Sequence, residues 1–417
     1  MQLKTIFNHV VDYKPFVVHK VEMIGEMPSR IEITMRSRSN GQAICSGCGG
    51  RQPGYDRQPE PRRFEFVPLW NIAVTLIYVM RRVQCPNCGV KVESVPWSDG
   101  KSSLTVDYKW FLAGWARRMS WLEVARCFSV SWDHVYNSVK HAVSWGLSHR
   151  SLDGIESIGI DEVQWKRGHK YQTLVYQIDA DCKRLLWIGP DRTARTLLRF
   201  FRFLGKDRIA RIQFVCSDMW QAYLKVIAKK VPQAIHVLDR FHVMQKFSTA
   251  IDKVRAAEAK QLKEDGYEPL LKGSRWLLLK RPDNLTETQT LKLGELLKYN
   301  LKSVRSHLMK EDFQRFWTYT YPAWAGRFLD EWCTRAMRSK IEPMKAMART
   351  LRGKRELLLN WFRAEGALSS GVVEGFNNKL KLITRKSYGF RTQEAYEIAL
   401  YHTLGALPEP EFTHRFF

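Results

Sequence analysis

Ser157-Ile-Gly-Ile-Asp161-Glu-Val-Gln-Trp165 reads as a strand whose apolar run ends on an aspartate. A second run of the same kind, Ile212-Gln-Phe-Val-Cys-Ser-Asp218, also ends on an aspartate. Much later, Glu374-Gly-Phe-Asn-Asn-Lys-Leu-Lys opens a polar helical stretch on a glutamate. Folding can gather Asp161, Asp218 and Glu374 around divalent metal, because magnesium-assisted phosphodiester chemistry needs anionic oxygen ligands at a shared centre. Without metal, three clustered carboxylates would repel and raise one another's pKa. Singly, each has a plainer reading: Asp161 as an ordinary strand-end acid, Asp218 as the cap of a helix starting at Met219.

Working outward, strands are predicted at 157–165, 171–179, 184–189, 211–217 and 234–238. Helices are predicted at 193–204, 219–230 and 241–259. Three antiparallel-looking strands, then helix, strand, helix and strand, match an RNase H-like order. Residues 260–365 are helical and basic with no strand signal, and carry Trp276, Trp317, Trp324, Trp332 and Trp361. They read as an all-α insertion separating Glu374 from the two aspartates. The expected fold class is multidomain α+β. Its expected parts are a β-rich zinc ribbon (1–100), a helix-turn-helix (101–150), the RNase H-like α/β core (151–260), the all-α insertion (261–364) and the helical remainder of the core (365–417).

Charge names the partner. The 417 residues include 67 Lys and Arg against 42 Asp and Glu, a formal net charge of +25. That imbalance predicts salt-sensitive binding to a phosphate backbone. An apolar content of 45% excludes general disorder. The longest apolar run, Ile72 to Met80, is too short to span a bilayer, and the first residues lack the apolar centre of a signal peptide. The expected location is cytoplasmic, at the nucleoid, with no membrane partner.

Phe16-Val-Val-His-Lys-Val and Arg30-Ile-Glu-Ile-Thr-Met alternate in part and predict an N-terminal strand-rich region. Two knuckles follow, Cys45-Ser-Gly-Cys48-Gly and Cys85-Pro-Asn-Cys88-Gly, with 36 residues between them. Each presents two thiolates at tetrahedral spacing, and its glycine permits the tight turn. Together they predict a closed structural Zn2+ site with four cysteine ligands and no open position for catalysis. Two unrelated thiol pairs, or a redox site, are the alternatives. Cys127, Cys182, Cys216 and Cys333 are expected as small packed hydrophobes.

Ser120-Trp-Leu-Glu-Val-Ala-Arg-Cys-Phe-Ser-Val-Ser-Trp-Asp-His-Val-Tyr-Asn-Ser-Val-Lys resembles a helix-turn-helix. Ser131 would cap the second helix, whose exposed face would carry Trp132, Asp133, Tyr136, Asn137 and Lys140 to DNA. An ordinary helical hairpin is the alternative. On the Glu374 helix, Asn377, Asn378, Lys381 and Arg385 fall at offsets of three, four, seven and eleven and share the glutamate's face. With Arg391, these residues form a candidate phosphate-gripping surface. In Asp239-Arg-Phe-His242, an acid and an imidazole meet at a strand-to-helix junction. His242 either serves the reacting phosphate or packs at a capped helix start. Glu162 should point away from Asp161 across the strand and is left out. Trp220 is expected in the core rather than stacked on a base.

Gly159-Ile-Asp161-Glu, Cys216-Ser-Asp218-Met, Asp239-Arg-Phe-His242, Glu374-Gly-Phe-Asn-Asn-Lys-Leu-Lys and Tyr388-Gly-Phe-Arg391 occur in that order behind the cysteine knuckles. In this the chain resembles the ISL3 family of bacterial insertion-sequence transposases over nearly its whole length. The resemblance implies a DDE-type catalytic domain with Asp161, Asp218 and Glu374 holding Mg2+ (or Mn2+). It implies recognition of terminal inverted repeats, strand cleavage, and attack of the freed 3′-hydroxyl on target DNA. The partners would be double-stranded DNA, at both the element's ends and the target, and further copies of this chain in a homodimer or larger assembly. A transposase-derived DNA-binding regulator and an RNase H-like structure-specific nuclease are the competing readings.

Overall fold

The computed structural model describes residues 3–10, 13–25, 29–166, 168, 170–267, 271–280, 282–364 and 370–411, apart from the side chains of 9, 10, 282, 370–374 and 377. The chain is a mixed α+β protein of two compact units. One comprises Met1–Arg150, Ile383–Thr403 and Leu407–Phe417; the other comprises Ser151–Leu382 and Leu404–Ala406.

In the first unit, helix α1 (Leu3–Val10) precedes the strands of a region expected to be strand-rich. It lays Phe7 against Phe66, with ring centroids 5.9 Å apart. The strands are β1 (Phe16–Ile24), β2 (Arg30–Ser37), β3 (Ala43–Cys45), β4 (Arg51–Gln52), β5 (Gly54–Arg57), β6 (Arg62–Leu69), β7 (Ile72–Tyr78), β8 (Arg81–Cys85) and β9 (Gly89–Ser94). One sheet runs β1-β2-β7-β6, with a parallel β2–β7 pair. The alternation in β2 buries Ile31, Ile33 and Met35 on one face. There they meet Phe64, Leu76 and Trp97. The other sheet runs β4-β3-β9-β8-β5 and is antiparallel throughout. Its buried acid, Glu93, accepts from Tyr78 Oη at 2.8 Å and from Arg81 Nη2 at 2.7 Å. Removing one partner would strand the other charge in the interior, so this pair is strongly specified.

Three helices follow: α2 (Val106–Arg118), α3 (Trp121–Cys127) and α4 (Trp132–His149). Thr105 caps α2, and Ser120 with Glu123 forms a reciprocal capping box on α3. For a helix of seven residues such caps matter, at about 1 kcal/mol each. Ser129, at φ +53°, reverses the chain before Ser131 caps α4.

The second unit is built on one sheet. Its elements are β10 (Ser157–Lys166), β11 (Lys170–Ile178), β12 (Lys183–Gly189), α5 (Ala194–Leu204), α6 (Lys206–Arg211), β13 (Phe214–Ser217), α7 (Gln221–Lys230), β14 (Ile235–Leu238) and α8 (Arg240–Glu264). The strand order is β12-β11-β10-β13-β14. β10–β11 and β11–β12 are antiparallel, whereas β10–β13 and β13–β14 are parallel. Ile158, Ile160, Val175 and Val215 turn one face toward Phe200 and Phe201 of α5 and Tyr223 and Ile227 of α7.

Beyond α8, among the described residues, the chain is helical: α9 (Arg275–Leu279), α10 (Glu287–Leu296), α11 (Lys302–Gln314), α12 (Pro322–Arg338), α13 (Glu342–Arg352) and α14 (Arg355–Arg363), with two short 3-10 turns. Phe247 of α8, Phe313, Phe316 and Trp332 centre this helical core, which also contains Leu238 of β14. Asn360 Nδ2 donates to the His236 carbonyl at 2.8 Å, tying α14 to β14. Helices α15 (Ser370–Lys386) and α16 (Gln393–Leu404) end the described chain. No helix among the described residues is long and apolar enough to cross a membrane.

Candidate functional site

The parallel strands β10, β13 and β14 bring their carboxyl ends to one level. Ile160 pairs with Ser217, and Ser217 with Leu238. The next residue on each strand is acidic: Asp161, Asp218 and Asp239. The apolar residues before them are held in the sheet, so three carboxyl groups emerge where the parallel pairing stops, with β13 and β14 ending there and β10 continuing along β11 to Lys166.

Asp161 is almost fully buried, and its Oδ1 accepts from the Glu162 backbone N–H at 2.7 Å. Asp218 Oδ1 accepts from the Trp220 N–H at 2.8 Å. Asp239, also buried, caps α8 by accepting from the Phe241 N–H at 2.8 Å. His242, on the first turn of α8, places Nε2 3.6 Å from Asp161 Oδ1 and 3.8 Å from Asp239 Oδ2. Burial alone would lower the imidazole. The hydrogen bond and charge of Asp161, with the charges of Asp239 and Asp218, outweigh it and raise His242 to about 9.

Two further residues belong here that sequence reasoning missed. Glu162 Oε1 lies 2.5 Å from Arg192 Nε, and Arg192 Nη2 lies 3.4 Å from Asp218 Oδ2. The guanidinium sits 4.7 Å from the Trp220 ring centroid, a cation–π contact. Burial, then the nearby Asp218 charge, pushes Glu162 up to about 7 against the pull of Arg192. Alternation along β10 does send Asp161 and Glu162 to opposite faces. However, pairing with β13 stops at Ile160, so beyond it Asp218 is approachable from either side. Glu162 was legible as a second acid beside Asp161, but Arg192, in the turn between β12 and α5, carried no motif. Trp220 is half-buried, packing partly on the core and partly under Arg192.

The Glu374 side chain lies outside the described residues, as does that of Asn377. Helix α15, which includes both, is fixed by Phe376. Its ring stacks on Tyr176 at 4.2 Å with an interplanar angle of 12°. Tyr176 pairs with Gly159, two residues before Asp161 and on the same face of β10. The start of α15 therefore covers the sheet face toward which Asp161 points. Phe376, Leu380 and Ile383 are its buried stripe, while Asn378, Lys381 and Arg385 are exposed, as is Arg391 beyond the helix.

In the first unit, Trp132, Asn137 and Lys140 are exposed and Tyr136 is half-buried on α4. Trp132 and Tyr136 stack at 5.4 Å, nearly parallel, and Lys140 is paired with Glu394 at 2.5 Å. Cys45, Cys48, Cys85 and Cys88 converge, with all four sulfur atoms within 4.8 Å of one another. Among the described residues this is the one group of three or more such ligands so closely gathered, and the acids at the strand ends are more widely spaced. Gly49 and Gly89, at φ +72° and +71°, make the two knuckles alike. The Cys48 and Gly47 N–H groups draw the Cys45 thiol down to about 7, while hydrogen bonding to Cys48 and burial push Cys88 up to about 12. Of the other cysteines, Cys216 and Cys333 are buried as expected, whereas Cys127 is exposed.

Residues 158–400 match the family model of ISL3-type DDE transposases, described as transposase. The chain is 32% identical over 356 residues to the transposase for insertion sequence element IS1001 of Bordetella parapertussis, covering 85% of this chain and 86% of that protein. It is 29% identical over 393 residues to the transposase for insertion sequence element IS1557 of Mycobacterium tuberculosis, covering 88% and 87%. The chain belongs to the ISL3 family of DDE transposases. Its substrate is accordingly DNA, and membership implies nucleic-acid cleavage with a divalent metal ion.

Proposed function

We propose that this transposase binds the terminal inverted repeats of its element and cuts them at the carboxyl ends of β10 and β13, with Asp161, Asp218 and Glu374 as the metal-holding acids. The strand order β12-β11-β10-β13-β14, antiparallel then parallel, supports an RNase H-like core. The observation that carries the site is the level pairing of Ile160, Ser217 and Leu238, which sets Asp161 and Asp218 at neighbouring strand positions with His242 Nε2 3.6 Å from Asp161. Glu374 is assigned from the family's motif; Phe376 on Tyr176 places the backbone of α15 over the Asp161 face, and a residue two positions away does not share the face of Phe376.

The donor set fits a hard dication. Four carboxylates (Asp161, Glu162, Asp218 and Asp239) face one guanidinium and one imidazole, and the imidazole is drawn into its protonated form. Bound among Asp161, Asp218 and Glu374, Mg2+ would supply charge neutralisation and activation of a water or 3′-hydroxyl for in-line attack. His242 holds a proton at Nε2, 3.6 Å from Asp161, and would donate it to a phosphate oxygen or to the leaving oxygen. Arg192 is restrained by Glu162 and the Trp220 face, so it orients Asp218 without fully neutralising it.

Helices α3 and α4, with their capped turn, support a helix-turn-helix that carries Trp132, Tyr136, Asn137 and Lys140 to the ends. The cysteine tetrad would hold a structural Zn2+. Asn378, Lys381, Arg385 and Arg391 would grip phosphates. Two or more copies would act together, since two ends must be joined.

Purified protein, Mg2+ or Mn2+ and a labelled duplex carrying the element's end, against a scrambled control, tests the reading. Asp161→Asn, Asp218→Asn and Glu374→Gln should each abolish cleavage while end binding survives. Any of the three nicking the cognate end at near wild-type rate removes that residue from the site.

A further inference from the structure

The helical segment between α8 and α15 separates the acids in sequence, and the site described so far gives it no chemical task. We infer that Lys354, at the start of α14, and Lys246, on α8, form a phosphate-binding site beside Asp218 for the DNA strand being cut. The inference rests on Asp218 belonging to the catalytic centre.

Lys354 Nζ is held 3.2 Å from Gln221 Oε1. Gln221 opens α7 three residues after Asp218, so this contact fixes the ammonium at the strand end. Lys246 is carried on α8. It lies one turn beyond His242, whose imidazole faces Asp161. Val243, Phe247, Ala250 and Val254 anchor the adjacent flank of α8 in the core, and Lys246 itself is exposed.

The electrostatics show two ammonium groups in one neighbourhood. Lys354 is lowered first by burial and second by the charge of Lys246, with Asp218 pulling it back up. Holding two like charges together costs free energy that an anion seated between them would recover. Lys253 continues the exposed stripe one heptad further, about 10 Å along the axis. A DNA strand advances about 3.4 Å per phosphate, so a spacing of about 10 Å corresponds to backbone contacts roughly three phosphates apart. The polyanion is already given by the family, and the charge and its placement against Asp218 select the strand's phosphates.

The test measures binding of full-length protein to a labelled duplex carrying the element's end, as a function of salt, together with kcat and KM for its cleavage. Lys246→Ala and Lys354→Ala should each lower affinity roughly 5- to 10-fold near 0.15 M salt. Each should also flatten the slope of log K against log salt by about 1. KM should rise by a larger factor than kcat falls, and the Lys246→Arg/Lys354→Arg protein should recover the slope. The inference is overturned if the double alanine protein binds with wild-type slope and affinity, or if the double arginine protein loses as much as the double alanine. Asp218→Asn, run in parallel, keeps the two ideas apart. If it still cleaves, the catalytic assignment fails; if it is inactive and the lysine variants bind normally, only the phosphate site falls.

Discussion

Arg192 Nε lies 2.5 Å from Glu162 Oε1 while its Nη2 lies 3.4 Å from Asp218 Oδ2. One guanidinium is thus divided between an acid assigned to metal binding and an acid that is not. Glu162 limits how much positive charge Asp218 receives, and the Trp220 ring at 4.7 Å limits where that charge can move. Glu162→Gln removes the competitor, so Arg192 should pair more fully with Asp218 and oppose a dication there. The half-saturating Mg2+ concentration for end cleavage should rise roughly tenfold, equivalent to about 1.4 kcal/mol. A Mg2+ titration of cleavage reads this directly, and an unshifted curve would take Glu162 out of the site.

The cysteine tetrad makes a second prediction. Four sulfur atoms within 4.8 Å of one another form a closed ligand set. Gly47 leaves no slack, since a Cβ there would sit 2.9 Å from Cys88 Sγ. Metal analysis of the purified protein should find about one zinc per chain, falling severalfold in Cys85→Ser. End binding should weaken in the same variant, because the sheet around β3 and β8 loses its tie. Zinc-free protein that binds ends normally would refute this role.

What the sequence disclosed follows from where local pattern and tertiary placement agree. The apolar runs of β10, β13 and β14 give way to Asp161, Asp218 and Asp239 at the level where the parallel pairing of these strands stops, and the residue type changes at that point. The capped turn between α3 and α4 was legible for the same reason, since Ser131 satisfies a backbone group next to it in sequence. α1 was hidden within a stretch that reads as strand-forming, and it holds its place by packing Phe7 on Phe66, 59 residues away. Arg192 was hidden because its partners come from β10 and the end of β13, and a turn arginine in a basic chain has no local mark. The role of the helical segment was hidden likewise, since Lys354 acquires a setting only when α14 docks on β14.

The stacked Trp132–Tyr136 pair on α4 is a third point of test. Its rings lie 5.4 Å apart with an interplanar angle of 6°, and Trp132 is 43% exposed. Trp132 also packs on Trp121 at 5.6 Å, and its exposed part is free for a surface contact at the start of a capped helix. Trp132→Ala should lower affinity for the cognate end at least tenfold while leaving binding to scrambled duplex within about threefold. A gel-shift comparison of the two duplexes measures both. Equal losses on both would make the residue a general backbone contact and not part of end recognition.

Burial sets a fourth expectation, for pH. His236 on β14 is buried, its Nε2 lies 2.8 Å from Ser217 Oγ, and desolvation, helped by Lys354, lowers its pKa from 6.5 to about 4. The folded protein therefore resists protonation that the unfolded chain accepts. Between pH 6.5 and about 4 the unfolded state binds more protons, so stability falls as pH falls. The contribution is fully present above 6.5 and lost on the way down to about 4, a swing of roughly 3 kcal/mol for this group alone. His236→Gln keeps a polar partner for Ser217 and cannot titrate. Thermal unfolding at pH 7 and pH 5 should show a smaller acid-induced drop in Tm for this variant than for the wild type. Equal drops would mean that the acid sensitivity of the second unit originates elsewhere.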